Sequence, residues 1–378
     1  MSILKFIIKE KNFVSEEGKT KENSYNSNNS LISEYIIKDL NSKLKKESII
    51  RGPKSKKEFC ILEKNIFIIN IKKMMISFVF FSLLISVITK ETTSKSIKMK
   101  LSYITIRIKS KGKRTFFYGG SLSNCNPLFS KPKEVHINNV KLNKVSNFYQ
   151  FNTTDNEIKL VWNNTVTSCN CLFFDCKYIN EIDLSNFDSS EVTTASAMFY
   201  QNTALSKLNF KNFNTEKITR MDFMFAFCES LTSLNLSNFN TSKVDNMYAM
   251  FNQCNSLKYL DLSKFDTSNV IDMNRMFCGC SSLVSFNVSN FDTSKVTDMT
   301  AMFAYSESLT SLNLSNFNTS KVKNMHSMFE GCESLKYLDL SNFDTSNVLD
   351  MTSLFFNCKS LEYLNITSFN TSKVENNE

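Results

Sequence analysis

Apolar and polar residues recur through the second half of the chain with a period of 26 residues and no insertion. Residues 231–256 read LTSLNLSNFNTSKVDNMYAMFNQCNS, and residues 257–282 read LKYLDLSKFDTSNVIDMNRMFCGCSS. Further copies begin at 283, 309 and 335, a shortened copy begins at 361, and less regular copies begin at 205 and 179. Eight phenylalanines mark the period: Phe187, Phe213, Phe239, Phe265, Phe291, Phe317, Phe343 and Phe369. A fixed period of this size predicts repeats that stack on one another and share one core.

The first part of each copy predicts a short strand. Leu260 and Leu262 alternate around Asp261. Because successive side chains of a strand point to opposite faces, both leucines are expected to face inward and Asp261 outward. Phe265, three residues later, is expected to lie in the core between neighbouring repeats.

The second part of each copy predicts a short helix. Val270, Met273, Met276 and Phe277 stand at i, i+3, i+6 and i+7 and would form one apolar stripe on a helical turn. The polar residues DTS at 266–268 precede the stripe and are good helix N-caps. Each repeat is therefore predicted to contain a strand, a capped turn and a short helix, and it can bury its apolar face only by stacking.

The opening L-x-x-L-x-L is that of a leucine-rich repeat. The longer string M-F-x-x-C-x-S-L-x-x-L-[DN]-L-S-x-F-[DN]-T-S-x-V resembles the repeat of BspA-like leucine-rich-repeat surface proteins, and it covers residues 156–378. The predicted fold is an α/β leucine-rich-repeat solenoid of about eight 26-residue repeats with a small N-terminal β-rich cap. The resemblance implies a cell-surface or secreted protein used in adhesion or recognition.

Three segments precede the predicted repeats. Residues 1–73 alternate polar and short apolar runs, which predicts a disordered leader or a stretch that is not translated. Residues 74–89 begin with MMISFVFFSLLISVI and follow two lysines. They fit a signal peptide of a chain that starts at Met74 or Met75, a signal anchor, or a buried helix. Residues 90–155 contain alternating apolar positions punctuated by glycine and proline, which predicts a β-rich cap or linker.

Charge separates the two halves of the chain. The formal net charge is +9, but residues 179–378 carry 14 Lys and Arg against 22 Asp and Glu. The basic surplus therefore lies in the Lys- and Asn-rich N-terminal part, which has no interleaved aromatic residues. A nucleic-acid-binding face is not predicted from this distribution.

No catalytic, metal or cofactor site is predicted. The chain has two histidines, seven glycines and no phosphate-binding glycine motif. Six cysteines share one repeat position, where Asn202 and Ser306 replace them in two copies: Cys176, Cys228, Cys254, Cys280, Cys332 and Cys358. They are interpreted either as a buried column or as disulfides between neighbouring repeats, and the buried column is favoured because free cysteine is readily buried.

The predicted binding surface is the strand side of the repeats, where the residues between the inward leucines face solvent. The candidate residues are Tyr259, Asp261, Asn287, Tyr337, Asp339 and Tyr363. The tyrosines are the expected anchors, because exposed tyrosine is enriched in binding hot spots. The predicted function is non-enzymatic recognition of a protein or glycan ligand at the cell surface, with membrane contact only through 74–89 if that segment is retained. The alternative is an intracellular protein–protein interaction scaffold.

Overall fold

The computed structural model of the protein describes residues 101–118 and 130–375. The predicted leader 1–73 and the apolar segment 74–89 lie outside the described residues. Twelve short strands are present in the described part of the chain: β1 (Ser102–Ile108), β2 (Gly112–Thr115), β3 (Glu134–Ile137), β4 (Val140–Lys141), β5 (Phe148–Phe151), β6 (Asn156–Trp162), β7 (Glu181–Asp183), β8 (Lys207–Asn209), β9 (Ser233–Leu234), β10 (Tyr259–Leu260), β11 (Tyr337–Asp339) and β12 (Tyr363–Asn365).

The N-terminal strands and the first two repeat strands form one six-stranded sheet. Its order is β4-β3-β6-β1-β7-β8, and β1 pairs antiparallel with both β6 and β7. Residues 156–162, assigned to the first repeat from the sequence, form β6, which pairs with β1 and β3 and not with β7. Strand β1 therefore lies beside β7 in the place where the strand of a preceding repeat would lie.

Side chains of the N-terminal sheet also continue two repeat columns. The ring of Trp162 packs edge-on against Phe187, the first of the marking phenylalanines, with 5.2 Å between centroids. The hydroxyl of Ser102 accepts a hydrogen bond from the backbone N–H of Asp188 at 3.0 Å. This sheet thus covers the first repeat with groups that imitate another repeat, as the end of a stacked array requires.

The prediction of an α/β leucine-rich-repeat solenoid with a strand and a helix in each repeat is wrong. No helix occurs in residues 101–118 and 130–375, and the segments predicted to be helical form turns. Each repeat places two residues, four positions apart, at positive φ, such as Ala249 (φ 50°) and Gln253 (φ 57°). A right-handed helix cannot include residues at positive φ, so the apolar stripe does not continue as a helix.

Hydrogen bonding gives the physical reason. In one repeat the N–H groups of Met247, Ala249 and Phe251 donate to carbonyls 25 residues later, at 2.9–3.1 Å. The N–H groups of Met250 and Asn252, which directly follow Ala249 and Phe251, donate to carbonyls three residues earlier. Half of the donors that a helix would use internally are therefore bonded to the next repeat.

The inward positions predicted from the sequence are buried. Leu260, Leu262 and Phe265 are 6%, 1% and 3% exposed, and Met273 and Met276 are fully buried. A second set of phenylalanines forms a continuous ring stack with centroids 5.6–5.8 Å apart: Phe173, Phe199, Phe225, Phe251, Phe277, Phe303, Phe329 and Phe355. The stacked repeats therefore share a single core, as the 26-residue period predicted.

Candidate binding surface

The structure brings three of the six predicted binding residues together. Tyr337 and Tyr363 are paired in register on β11 and β12, and their rings stack at 4.4 Å with an angle of 3°. The rings are 51% and 45% exposed, so this pair is a solvent-facing aromatic surface. Asp339 lies two residues beyond Tyr337 and is paired with Asn365.

The other three predicted residues lie elsewhere on the strand side. Tyr259 is 75% exposed and pairs with Ser233, not with another tyrosine. It is three repeats from Tyr337, so it does not contribute to the same contact surface. Asp261 follows it, and Asn287 lies in the next repeat outside any named strand.

The polar members of the predicted set hold the backbone. An Oδ1 atom of Asp261, Asn287 and Asp339 accepts the N–H of the residue two positions later, at 2.9 Å in each case. These bonds lower the pKa of Asp261 and Asp339, through Ser263 and Ser341 respectively. Such side-chain turns fix the chain as it leaves the strand, so these residues have a local structural role beside any role in binding.

The ladder of repeat strands is interrupted twice. Strands β9 and β10 form a separate pair, as do β11 and β12. No backbone hydrogen bond among the described residues joins 206–210 to 232–236, or 258–262 to 284–288. A phenylalanine replaces a repeat leucine at each interruption: Phe210 takes the position of Leu236, and Phe286 takes the position of Leu260.

The larger ring explains the interruption at Phe210. This side chain is 3% exposed and contacts four other rings, those of Phe199, Phe213, Phe225 and Phe239, with centroids 5.0–6.0 Å away. An inserted ring in a close-packed column displaces the backbone around it. The neighbouring Leu208 is consequently only half-buried, whereas Leu234 and Leu260 at the same position are 8% and 6% exposed.

A polar cleft of about 890 Å³ opens at this interruption. It is bounded by β1 and β7 on one side and by β9 on the other, and Lys207, Asn209, Phe210 and Lys211 lie between them. None of the six predicted residues lines it. The sequence did carry a signal, because this repeat departs from its neighbours at two adjacent positions, with Phe210 in place of leucine and Lys211 in place of serine.

Five of the six column cysteines are buried, Cys358 is half-buried, and all six thiols are free. The Sγ atoms of Cys228, Cys254 and Cys280 donate to the carbonyls of Phe199, Phe225 and Phe251 at 3.2–3.3 Å. The same bond is made by the side chains that interrupt the column. Asn202 donates to Phe173 at 2.7 Å and Ser306 donates to Phe277 at 3.2 Å. A hydrogen-bond donor is thus the property that all these residues share.

Burial keeps these thiols protonated. Burial raises the pKa of Cys280 well above its ordinary value and raises that of Cys278 to about 11. A protonated, buried thiol is a poor nucleophile and a poor metal ligand. Within the described ranges, no group of three His, Cys, Asp or Glu residues is placed to hold a metal ion. Cys171 differs from the free thiols, since it is disulfide-bonded.

Comparison with known proteins identifies a family. Four overlapping segments, 123–232, 167–286, 201–310 and 283–378, match the family model described as "Mycoplasma protein of unknown function, DUF285". No curated protein and no solved structure matches the chain. In the part of the chain that the structure describes, no helix is long and apolar enough to cross a membrane. Because the four matches together extend over residues 123–378, more than half of its length, the chain belongs to the DUF285 family and is built from its repeats.

Proposed function

We propose that the protein is a non-enzymatic recognition protein, secreted or displayed at the cell surface, that binds a protein or glycan partner through the strand side of its repeats. The stacked pair of Tyr337 and Tyr363 carries this proposal. Two large aromatic rings lie in register on adjacent strands and remain about half exposed. Tyrosine offers a rigid apolar face and a hydroxyl at low entropic cost, which is why it is enriched in binding surfaces.

The scaffold is suited to this role. The column of stacked phenylalanines keeps one residue type from Phe173 to Phe355, while the outward position of the strand changes from Lys207 to Ser233, Tyr259 and Ser311. Such a scaffold can present different side chains without altering its core. The disulfide at Cys171 favours an exported protein, because disulfides persist in oxidising compartments.

Location is tested first, on intact cells. Protease added outside is expected to digest the repeats without permeabilisation, whereas a cytoplasmic marker protein stays whole. Digestion only after permeabilisation would instead support the intracellular scaffold.

Binding is then measured with purified full-length protein coated on beads. The beads are expected to bind cells or extracellular matrix, and exchange of both Tyr337 and Tyr363 for serine should reduce binding at least about tenfold, as expected for hot-spot residues. Thr310→Ala and Thr232→Ala, on the same side of the repeats, serve as the matched control. Equal binding by the tyrosine variant and the control would contradict the proposed surface.

A further inference from the structure

The N-terminal part of the described chain and the repeats carry opposite charges. Residues 101–178 contain 11 Lys and Arg against four Asp and Glu, whereas residues 179–378 contain 14 against 22. Strands β2 and β5 form a separate two-stranded sheet in the basic part. The segments 109–118 and 142–151, which contain these two strands and are called the cap ribbon, carry five Lys and Arg and no carboxylate side chain. The positive charge is therefore concentrated on the cap ribbon.

Most cations of the cap ribbon are not neutralised within the protein. Lys109 is bound by Glu181, with Nζ 2.6 Å from Oε1. Lys111, Lys113 and Arg114 have no ion-pair partner among the described residues, and both lysines are exposed. Their charge is therefore available to an anionic ligand.

The guanidinium of Arg114 is held in one position by neutral groups. Its Cζ lies 3.9 Å from the centroid of the Tyr178 ring, and its Nε donates to the hydroxyl of Ser110 at 3.0 Å. Its Nη1 donates to the carbonyl of Lys113 at 3.3 Å. Gly112, at φ 101°, leaves room for this arrangement, because a Cβ there would lie 3.3 Å from the guanidinium atoms. A fixed guanidinium that keeps its full charge is well suited to bind an oxyanion through two parallel hydrogen bonds.

A second ring positions the neighbouring cation. Nζ of Lys113 lies 4.2 Å from the centroid of the Phe148 ring, and such a contact favours one position of the ammonium group. Because Lys113 and Arg114 are successive residues of β2, their side chains lie on opposite faces of the cap ribbon. Phe148 and Tyr178 are far from β2 in the sequence, so only the fold places aromatic rings among the basic residues.

This arrangement favours a flexible polyanion as the ligand. A flat anionic membrane would meet only one face of the cap ribbon, whereas its cations lie on both faces. Single-stranded nucleic acid binds by stacking its bases on aromatic rings, and here Lys113 and Arg114 already cover a face of Phe148 and of Tyr178. A polysaccharide with an anionic group on successive sugars requires neither a flat surface nor free rings.

We infer that the cap ribbon binds an acidic polysaccharide, whose carboxylate or sulfate groups accept hydrogen bonds from Lys111, Lys113 and Arg114. This site lies in the N-terminal part of the described chain, whereas Tyr337 and Tyr363 lie in the last two repeats. It is therefore a second binding site, which goes beyond the proposed function of the strand side.

Fluorescence polarisation with the purified full-length protein tests the inference. The probe is a labelled heparin hexasaccharide, which carries both carboxylate and sulfate groups. We expect saturable binding that weakens as salt is raised, and no binding of the same hexasaccharide after desulfation and reduction of its carboxyl groups. The combined variant Lys111→Gln, Lys113→Gln and Arg114→Gln should weaken binding about tenfold, as expected for three exposed ion pairs.

Two further variants separate the cap ribbon from general charge effects. The combined variant Lys243→Gln, Lys264→Gln and Lys321→Gln removes three exposed lysines from the repeats, and it should bind as the unmodified protein does. Tyr178→Leu keeps every cation but removes the ring under Arg114. It should weaken binding about two- to fivefold, the usual strength of an exposed cation–π contact, without lowering the melting temperature.

Equal affinity of the two combined variants would overturn the inference, as would failure of the hexasaccharide to bind or binding of its uncharged form. A DNA duplex and vesicles of anionic phospholipid are the competing probes, and tighter binding of either one would assign the cap ribbon to phosphate groups and contradict a polysaccharide site. Sedimentation velocity tests a second copy of the chain as the ligand: self-association that only the cap-ribbon variant loses would also contradict it. All variants retain Tyr337 and Tyr363, so the bead test of the tyrosine surface is decided separately.

Discussion

The turn side and the strand side of the repeats share one 26-residue register but differ in continuity. On the turn side, a parallel β-bridge links every repeat to the next from Ser168 to Asp350. A column of hydroxyls reinforces it, since Thr267 both donates to the carbonyl of Asp292 and accepts its N–H, at 3.0 and 2.8 Å. On the strand side, the ladder breaks at Phe210 and at Phe286.

The two sides also differ in how they hold neighbouring repeats together. The turn side contains the ring stack, the threonine column and the cysteine column. The rings stack on both neighbouring repeats, Thr267 donates to the following repeat, and Cys280 donates to the preceding one. The strand side can lose pairing at two places because the turn side still holds neighbouring repeats together. Tyr259, Tyr337, Tyr363 and the polar cleft lie on this strand side.

The largest effect is expected from a change of register. Deletion of Ser268 shifts the buried residues that follow in its repeat away from their partners in both neighbouring repeats, so cooperative folding should be lost. Lys264→Ala, at an exposed position of the same repeat, should change the free energy of unfolding by less than about 0.5 kcal/mol. Urea denaturation followed by circular dichroism compares the two. Equal midpoints would show that the stack does not depend on the shared register.

Removal of one ring from the turn side should be the next largest effect. Phe251 is fully buried and stacks on Phe225 and Phe277, so Phe251→Ala should cost about 3–5 kcal/mol, as for a buried phenylalanine. Phe286→Ala, on the strand side, should cost clearly less because that ring is half-buried at a place where the ladder is already broken. Both are measured by urea denaturation, and similar losses would remove the distinction between the two sides.

Loss of one hydroxyl in the threonine column should have an intermediate effect. Thr267→Val leaves the N–H and the carbonyl of Asp292 without their partner and should cost about 1–3 kcal/mol, the penalty for unsatisfied buried groups. Thr267→Ser should retain most of the stability, because Ser189 occupies the same column and accepts an equivalent bond at 2.6 Å. Ser233→Val, exposed on β9, is the strand-side control and should be nearly neutral. The melting temperatures of the three variants are compared with that of the unmodified protein. An unchanged melting temperature for Thr267→Val would contradict the stabilising role of the threonine column.

The smallest effect is expected in the cysteine column. Cys280→Ser keeps a donor to the carbonyl of Phe251 and should cost less than about 1 kcal/mol, while Cys280→Val removes the donor and should cost more, since a buried carbonyl then loses its partner. Ser306 already makes this bond in the unmodified protein. If valine were tolerated better than serine, apolar packing and not hydrogen bonding would be the property selected at this position.

The sequence by itself was sufficient for the register, the buried columns and the short strand of six of the eight copies, whereas the copies that begin at 283 and 309 contain no named strand. Leu260, Leu262, Phe265 and Met273 follow directly from a period that must place like residues over like residues. The spacing of Val270, Met273, Met276 and Phe277 also suits a helix, and the sequence cannot show that alternate N–H groups bond to the next repeat. Stacking decides that the segment forms turns and not a helix, because its N–H groups bond to carbonyls 25 residues away.

The binding surface divides in the same way. Exposure of Tyr259, Tyr337 and Tyr363 could be predicted from strand alternation. The 26-residue register also places Tyr337 beside Tyr363 and Tyr259 beside Ser233, but the close ring stacking at 4.4 Å is seen only in the structure. The place of β1 beside β7 and the cleft beside Phe210 required the tertiary structure. In the sequence, phenylalanine and leucine are equally apolar, so Phe210 fits the pattern of buried positions. The extra volume of its ring separates the strands only because the neighbouring repeats are closely packed around it.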